Sequence, residues 1–164
     1  MSMQAETVLF PGSFDPFTIG HSDLVRRGLQ IFGRIVIAIG YNEHKKGLIP
    51  IQERVDALRS LYASEPRVTV ESYSCLTTDF AKACRASVIL RGVRSEKDYA
   101  YERELADVNR QLAGVETLLL FASPQYGSVS SSTVRELVHF GKDVSAFLPQ
   151  GLHYSSINQE KTDR

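Results

Sequence analysis

Short apolar runs alternate with amphipathic stretches along most of the chain, and that alternation limits the fold more than any other feature of the sequence. The runs Thr7–Phe10, Ile35–Gly40, Val68–Ser72, Val88–Arg91 and Leu118–Phe121 read as strands. IVIAIG and VILR are β-branched and almost wholly apolar, as strands buried on both faces are. Between them, Ser22–Phe32 puts Leu24, Val25, Leu29 and Phe32 on one helical stripe. Ile51–Tyr62 does the same with Val55, Leu58, Leu61 and Tyr62, and Thr78–Arg85 is a shorter helix. Lys97–Leu112 is predicted to turn Tyr101, Leu105, Val108 and Leu112 inward, and Thr133–Phe140 to open on a capping box from Thr133 to Glu136. The polar tail from about Ser155 is expected to fray. The pattern predicts one α/β domain: a doubly wound, Rossmann-like, five-stranded parallel sheet with helices on both faces. Its strand order is not legible.

At 164 residues the chain can bury a core without disulfides or a structural metal. Nineteen basic and nineteen acidic residues balance, which argues against a nucleic-acid or anionic-membrane surface and leaves charge to act locally. Cys75 and Cys84 have no metal-binding spacing and read as reduced thiols. No basic leader or long apolar run is visible at MSMQAETVLF, so the chain is expected in the cytoplasm, with no membrane segment.

Four segments carry chemistry. In VLFPGSFDPFTIGH the strand ends at Phe10, and two prolines and two glycines force an irregular turn before a helix near Ser22. Gly12 permits close backbone approach, Ser13 offers a hydroxyl and an amide, and Gly20-His21 sets an imidazole where a helix start favours anions. Lys45 and Lys46 follow the second strand on the same sheet edge, where a phosphate needs a cation; His44 beside them reads as exposed. Arg91-Gly92-Val93-Arg94 leaves a buried strand with two guanidinium forks suited to phosphate. The helix after it is mostly ordinary charge pairing. Finally, Ser130, Ser131 and Ser132 cluster hydroxyl and amide donors at a helix start.

PGSFDPFTIGH resembles the T/HxGH nucleotidyltransferase signature, with Thr18-Ile19-Gly20-His21 in the T-x-G-H position. With the KK loop, ERV at 53–55, the Arg91–Arg94 segment, the YE-E helix with Asn109-Arg110, SVSSS and FLP at 147–149, the chain resembles phosphopantetheine adenylyltransferases from roughly Thr7 to Leu152. The resemblance implies adenylyl transfer from ATP to 4′-phosphopantetheine, giving dephospho-coenzyme A and pyrophosphate. It implies His21, Lys45 and Arg91 as catalytic residues, with Lys45 and Arg91 on the acceptor phosphate. Gly12, Ser13 and His21, then Gly92, Val93, Arg94 and Glu102, would meet ATP. The loop Tyr126, Gly127, Ser128, Val129, Ser130, Ser131 and Ser132 would close over it. Ser13, Leu76, Thr77 and Asn109 would contact the acceptor as well. Tyr126-Gly127 stands where relatives often have Trp-Ser, and Thr77 where they have a larger apolar residue. Mg²⁺ is implied as a partner of the ATP phosphates, with no protein metal site and only an indirect contact considered for Asp15. A homohexamer and feedback inhibition by coenzyme A are implied too.

The acceptor phosphate is already an anion, so this transfer needs no protein nucleophile or general base. It needs two polyanions held together and the crowded phosphorus stabilised. The rival readings are a nicotinamide mononucleotide adenylyltransferase, a glycerol-phosphate cytidylyltransferase, or a nucleotide-binding or RNA-interaction module without catalysis. Arg91–Arg94 with SVSSS speaks against the first two. His21, Lys45 and Arg91 together, and the lack of a basic stripe with stacking aromatics, speak against the third.

Overall fold

A computed structural model of the chain describes residues 6–158. Five strands, β1 (Thr7–Gly12), β2 (Arg34–Gly40), β3 (Val68–Tyr73), β4 (Val88–Val93) and β5 (Glu116–Phe121), form one sheet in the order β3-β2-β1-β4-β5. All pairings are parallel. The helices are α1 (Ile19–Ile31), α2 (Ile51–Leu61), α3 (Thr77–Ala83), α4 (Glu96–Ala113), α5 (Ser131–His139) and the short α6 (Ser155–Asn158). The doubly wound α/β domain expected from the sequence is what forms.

Strand alternation sorts the core onto two faces. Val8, Phe10, Ile35, Ile37 and Ile39 pack with Leu24 and Val25 of α1 and Val55 and Leu58 of α2. Leu9, Val36, Ala38 and Ile89 take the other face with Ala81 of α3 and Val115. Inverting the strand order between β1 and β4 leaves a crevice at their carboxyl ends, where such sheets bind ligands. Here β1 pairs with β2 from Thr7 to Gly12 but with β4 only at Val8↔Val88 and Leu9↔Ile89. The two strands then part, and the Arg91 guanidinium reaches across to the Pro11 carbonyl.

Local structure departs from the sequence expectation at several places. The first helix begins at Ile19, not Ser22, because Thr18 caps it. The last long helix is capped by Ser130, whose hydroxyl accepts from Thr133 N–H at 3.0 Å, so Thr133 lies inside the helix. Any residue of a serine–threonine run can cap, and the extended backbone of Ser130 selects it. Gly92 and Val93 also belong to β4, which runs two residues beyond its expected end at Arg91.

The largest departure is in α4. Tyr101, Val108 and Leu112 are 58%, 47% and 64% exposed, and Leu105 is only half-buried. The buried residue of α4 is Glu102, turned in to meet Arg91. Periodicity marks the apolar stripe of a helix, but a buried ion pair sets which face meets the sheet. At the other end of the chain α6 is tied to α2, Ser155 Oγ and Ser156 N–H donating to Glu53. The expected fraying from Ser155 therefore does not begin there, and the tail after 158 lies outside the described residues.

Candidate active site

The turn from β1 into α1 is built around His21. Thr18 N–H donates to its Nδ1 at 2.9 Å, while Thr18 Oγ1 accepts from His21 N–H at 3.4 Å, a reciprocal cap closing the first helical turn. An Nδ1 that accepts a backbone proton leaves the ring's own proton on Nε2. The rings of Phe10, Phe14 and Phe17 lie 6.3, 5.0 and 5.3 Å from the imidazole centroid, yet the residue keeps part of its surface open to a cavity. Burial, then the charges of Arg91 and Arg94, lower its pKa from 6.5 to about 3. His21 is therefore a neutral hydrogen-bond donor at ordinary pH.

The cavity beside it, about 380 Å³, occupies the parting of β1 and β4. Arg91 is held there by a bidentate pair with Glu102, at 2.8 Å from Nε and 2.7 Å from Nη2. Arg94 pairs with Asp98 at 3.1 Å and reaches the Val129 carbonyl at 3.3 Å. The amino ends of α1 and α5 both open on this space, so two helix dipoles join the arginines in favouring an anion. Tyr126 lies beside Gly20, where an added Cβ would sit 3.7 Å from the tyrosine Cβ, an ordinary contact.

A second cavity of about 380 Å³ adjoins it, and Ser13 lines both. Lys45, Lys46, Thr77 and Arg54 border the second space, and Tyr73 Oη meets Thr77 Oγ1 at 2.9 Å. The lysine loop is anchored by Asp15, whose two carboxylate oxygens accept from Leu48 N–H and Ile49 N–H at 2.8 Å each. A Cβ on Gly47 would lie 2.7 Å from Asp15 Oδ2, so the loop backbone can come this close only as glycine.

Gly12, Ser13, His21, Gly92, Arg94, Glu102, Tyr126, Val129 and the three serines all reach the first cavity. Val93, Gly127 and Ser128 do not border it. Lys45 and Thr77 border the second cavity, whereas Leu76 is 62% exposed and, like Asn109, borders neither. Lys45 and Arg91, expected on one phosphate, stand in neighbouring cavities. Cys75 and Cys84 are free thiols.

Sequence reasoning passed over Arg54 and Arg135, and considered Asp15 only as an indirect metal contact, not as the anchor of the lysine loop. Arg135 borders the first cavity, donating to the Asp15 carbonyl at 2.9 Å and to Ser132 Oγ at 3.0 Å. Its spacing of four and three from Ser131 and Ser132 was the available signal. Arg54 sat in the ERV marker without a chemical role, and Asp15 acts through its loop contacts, which no local pattern reveals.

Two joined, cation-lined cavities at the switch point of a doubly wound sheet, with a neutral histidine at a helix start, define a nucleotidyltransferase-type α/β domain. The Cytidylyltransferase-like family model matches residues 9–137. In the same class, a bifunctional NMN adenylyltransferase/ADP ribose pyrophosphatase from Francisella tularensis superposes with a TM-score of 0.65 at 14% identity. That match covers 88% of this chain and 45% of the other, and shows a shared fold. The phosphopantetheine adenylyltransferase of Phocaeicola vulgatus is 53% identical over 144 residues, covering 88% of this chain and 95% of its own. Those of Porphyromonas gingivalis and Flavobacterium psychrophilum are 49% and 40% identical, over 91% and 88% of this chain and 97% and 95% of theirs. The chain belongs to the phosphopantetheine adenylyltransferase family.

Proposed function

We propose that this protein transfers the adenylyl group of ATP to the phosphate of 4′-phosphopantetheine, releasing dephospho-coenzyme A and pyrophosphate, a step of coenzyme A biosynthesis. The observation that carries the reading is Ser13 in the common wall of two cavities, beside His21 on one side and Lys45 on the other. ATP takes the His21 cavity and the acceptor the lysine cavity, so the two phosphates meet at Ser13. An acceptor phosphate oxygen attacks the α-phosphorus in line, and the bond to the β-phosphate oxygen breaks with its electrons leaving on pyrophosphate. Nε2–H of His21 donates to the α-phosphate as its charge grows, without transferring the proton. Arg91, Arg94, Arg135 and the amino end of α5 hold the nucleotide phosphates.

ATP is taken with its Mg²⁺, which neutralises phosphate charge. Among the described residues no three His, Cys, Asp or Glu side chains cluster to hold a metal, and both Asp15 oxygens are engaged by backbone N–H groups. Self-association, in the form of a homohexamer, is part of the proposal; the exposed stripe of Tyr101, Val108 and Leu112 on α4, with Phe121 at the end of β5, offers an apolar surface for self-association. Coenzyme A, which contains the product, would inhibit by occupying both cavities. The reaction is assigned to the cytoplasm; among the described residues no helix is long and apolar enough to cross a membrane.

Pyrophosphate release from ATP and Mg²⁺ with 4′-phosphopantetheine, or with nicotinamide mononucleotide, as acceptor tests the reading. Turnover is expected with 4′-phosphopantetheine alone. Its absence overturns the proposal, and turnover with nicotinamide mononucleotide replaces it.

A further inference from the structure

Arg54 is only 6% exposed, although it carries a permanent charge. Nη1 donates to the Ser13 carbonyl, and Nε is buried with no hydrogen-bond partner. Among the described residues no carboxylate is ion-paired with it. The one acid lining the same cavity, Asp15, spends both oxygens on Leu48 N–H and Ile49 N–H. A buried guanidinium without a counterion is costly, and the cost falls when an anion enters the space it borders. That space also holds Lys45 and Lys46, giving three cations against one carboxylate.

The geometry points to Arg54 as a binding residue for the acceptor's phosphate, a role that rests on the two-substrate reading above. Its bond to the Ser13 carbonyl fixes the guanidinium at the junction of the cavities, where the acceptor phosphate must lie to attack the neighbouring α-phosphorus. Lys45 and Lys46 are exposed and free to follow an incoming anion. Arg54 is already ordered, so little side-chain freedom is lost when it binds. The lysines attract the phosphate and Arg54 sets its position.

The test uses the full chain and two ligands that differ by one group, 4′-phosphopantetheine and pantetheine. Binding of each is measured by calorimetry for the wild type, Arg54→Met and Arg54→Lys. Arg54→Met is expected to weaken 4′-phosphopantetheine about tenfold or more and pantetheine hardly at all, with Arg54→Lys between. Equal weakening of both ligands makes Arg54 a structural tie to Ser13 and overturns the assignment, as does unchanged affinity for both.

If Arg54→Met does not fold, thermal stabilisation by inorganic phosphate is compared between the wild type and Arg54→Lys. A smaller shift in the variant upholds the assignment and an equal shift overturns it. Should the wild type fail to turn over 4′-phosphopantetheine while its phosphate shift still depends on Arg54, the substrate reading falls and the anion site stands.

Discussion

Thr18 N–H donates to Nδ1 of His21 at 2.9 Å, which fixes the proton of that imidazole on Nε2. One backbone hydrogen bond thereby caps a helix and chooses the tautomer that can serve an α-phosphate. His21→Ala is expected to lower kcat by about a hundredfold or more, the usual loss when a transition-state donor is removed. Circular dichroism should stay native, since the side chain's hydrogen bonds are local to the first turn of α1. Near-normal kcat in a steady-state pyrophosphate assay would show that His21 is a cap only.

The same residue makes stability depend on pH. Its folded pKa of about 3 lies below the ordinary 6.5, so the unfolded chain binds the proton first as pH falls. Its contribution is fully present above about 6.5 and declines toward about 3, by at most about 1.4 kcal/mol per pH unit. Urea unfolding of the wild type and His21→Asn at pH 7 and pH 5 should show the gap between them narrowing at the lower pH. Parallel curves would mean that the imidazole is not held neutral.

Asp15 governs the lysine loop without touching it at the charged end. Asp15→Asn replaces one acceptor oxygen with an amide facing a backbone N–H, which should cost about 2 kcal/mol of stability. The KM for the acceptor is expected to rise severalfold while that for ATP changes little. A rise confined to ATP would show that the loop does not serve the acceptor cavity.

Gly92 lines the His21 cavity and is also a packing residue. A Cβ there would come within 2.4 Å of Leu24 Cδ1, at a leucine that is 6% exposed. Gly92→Ala should cost about 2 kcal/mol as the core repacks around it. Scanning calorimetry checks this, and an unchanged Tm would show that Leu24 swings aside freely.

The sequence alone determined the parallel α/β class, because apolar β-branched runs can be buried on both faces only between two helical layers. It also pointed to most of the residues that line the first cavity, since PGSFDPFTIGH, Arg91–Arg94 and the serine run are contiguous segments whose chemistry is local. Tertiary structure decided which side of α4 is buried. Four apolar residues at helical spacing pointed inward by pattern, but the bidentate Arg91–Glu102 pair turned Glu102 to the sheet and left Tyr101, Val108 and Leu112 outside. It also set Lys45 and Arg91 in adjoining cavities, and brought Arg54 to Ser13 and Asp15 to Leu48 and Ile49 across more than thirty residues of chain. Those contacts depend on strand order and loop path, and a buried charge or a carboxylate taking up backbone donors leaves no periodic trace along the chain.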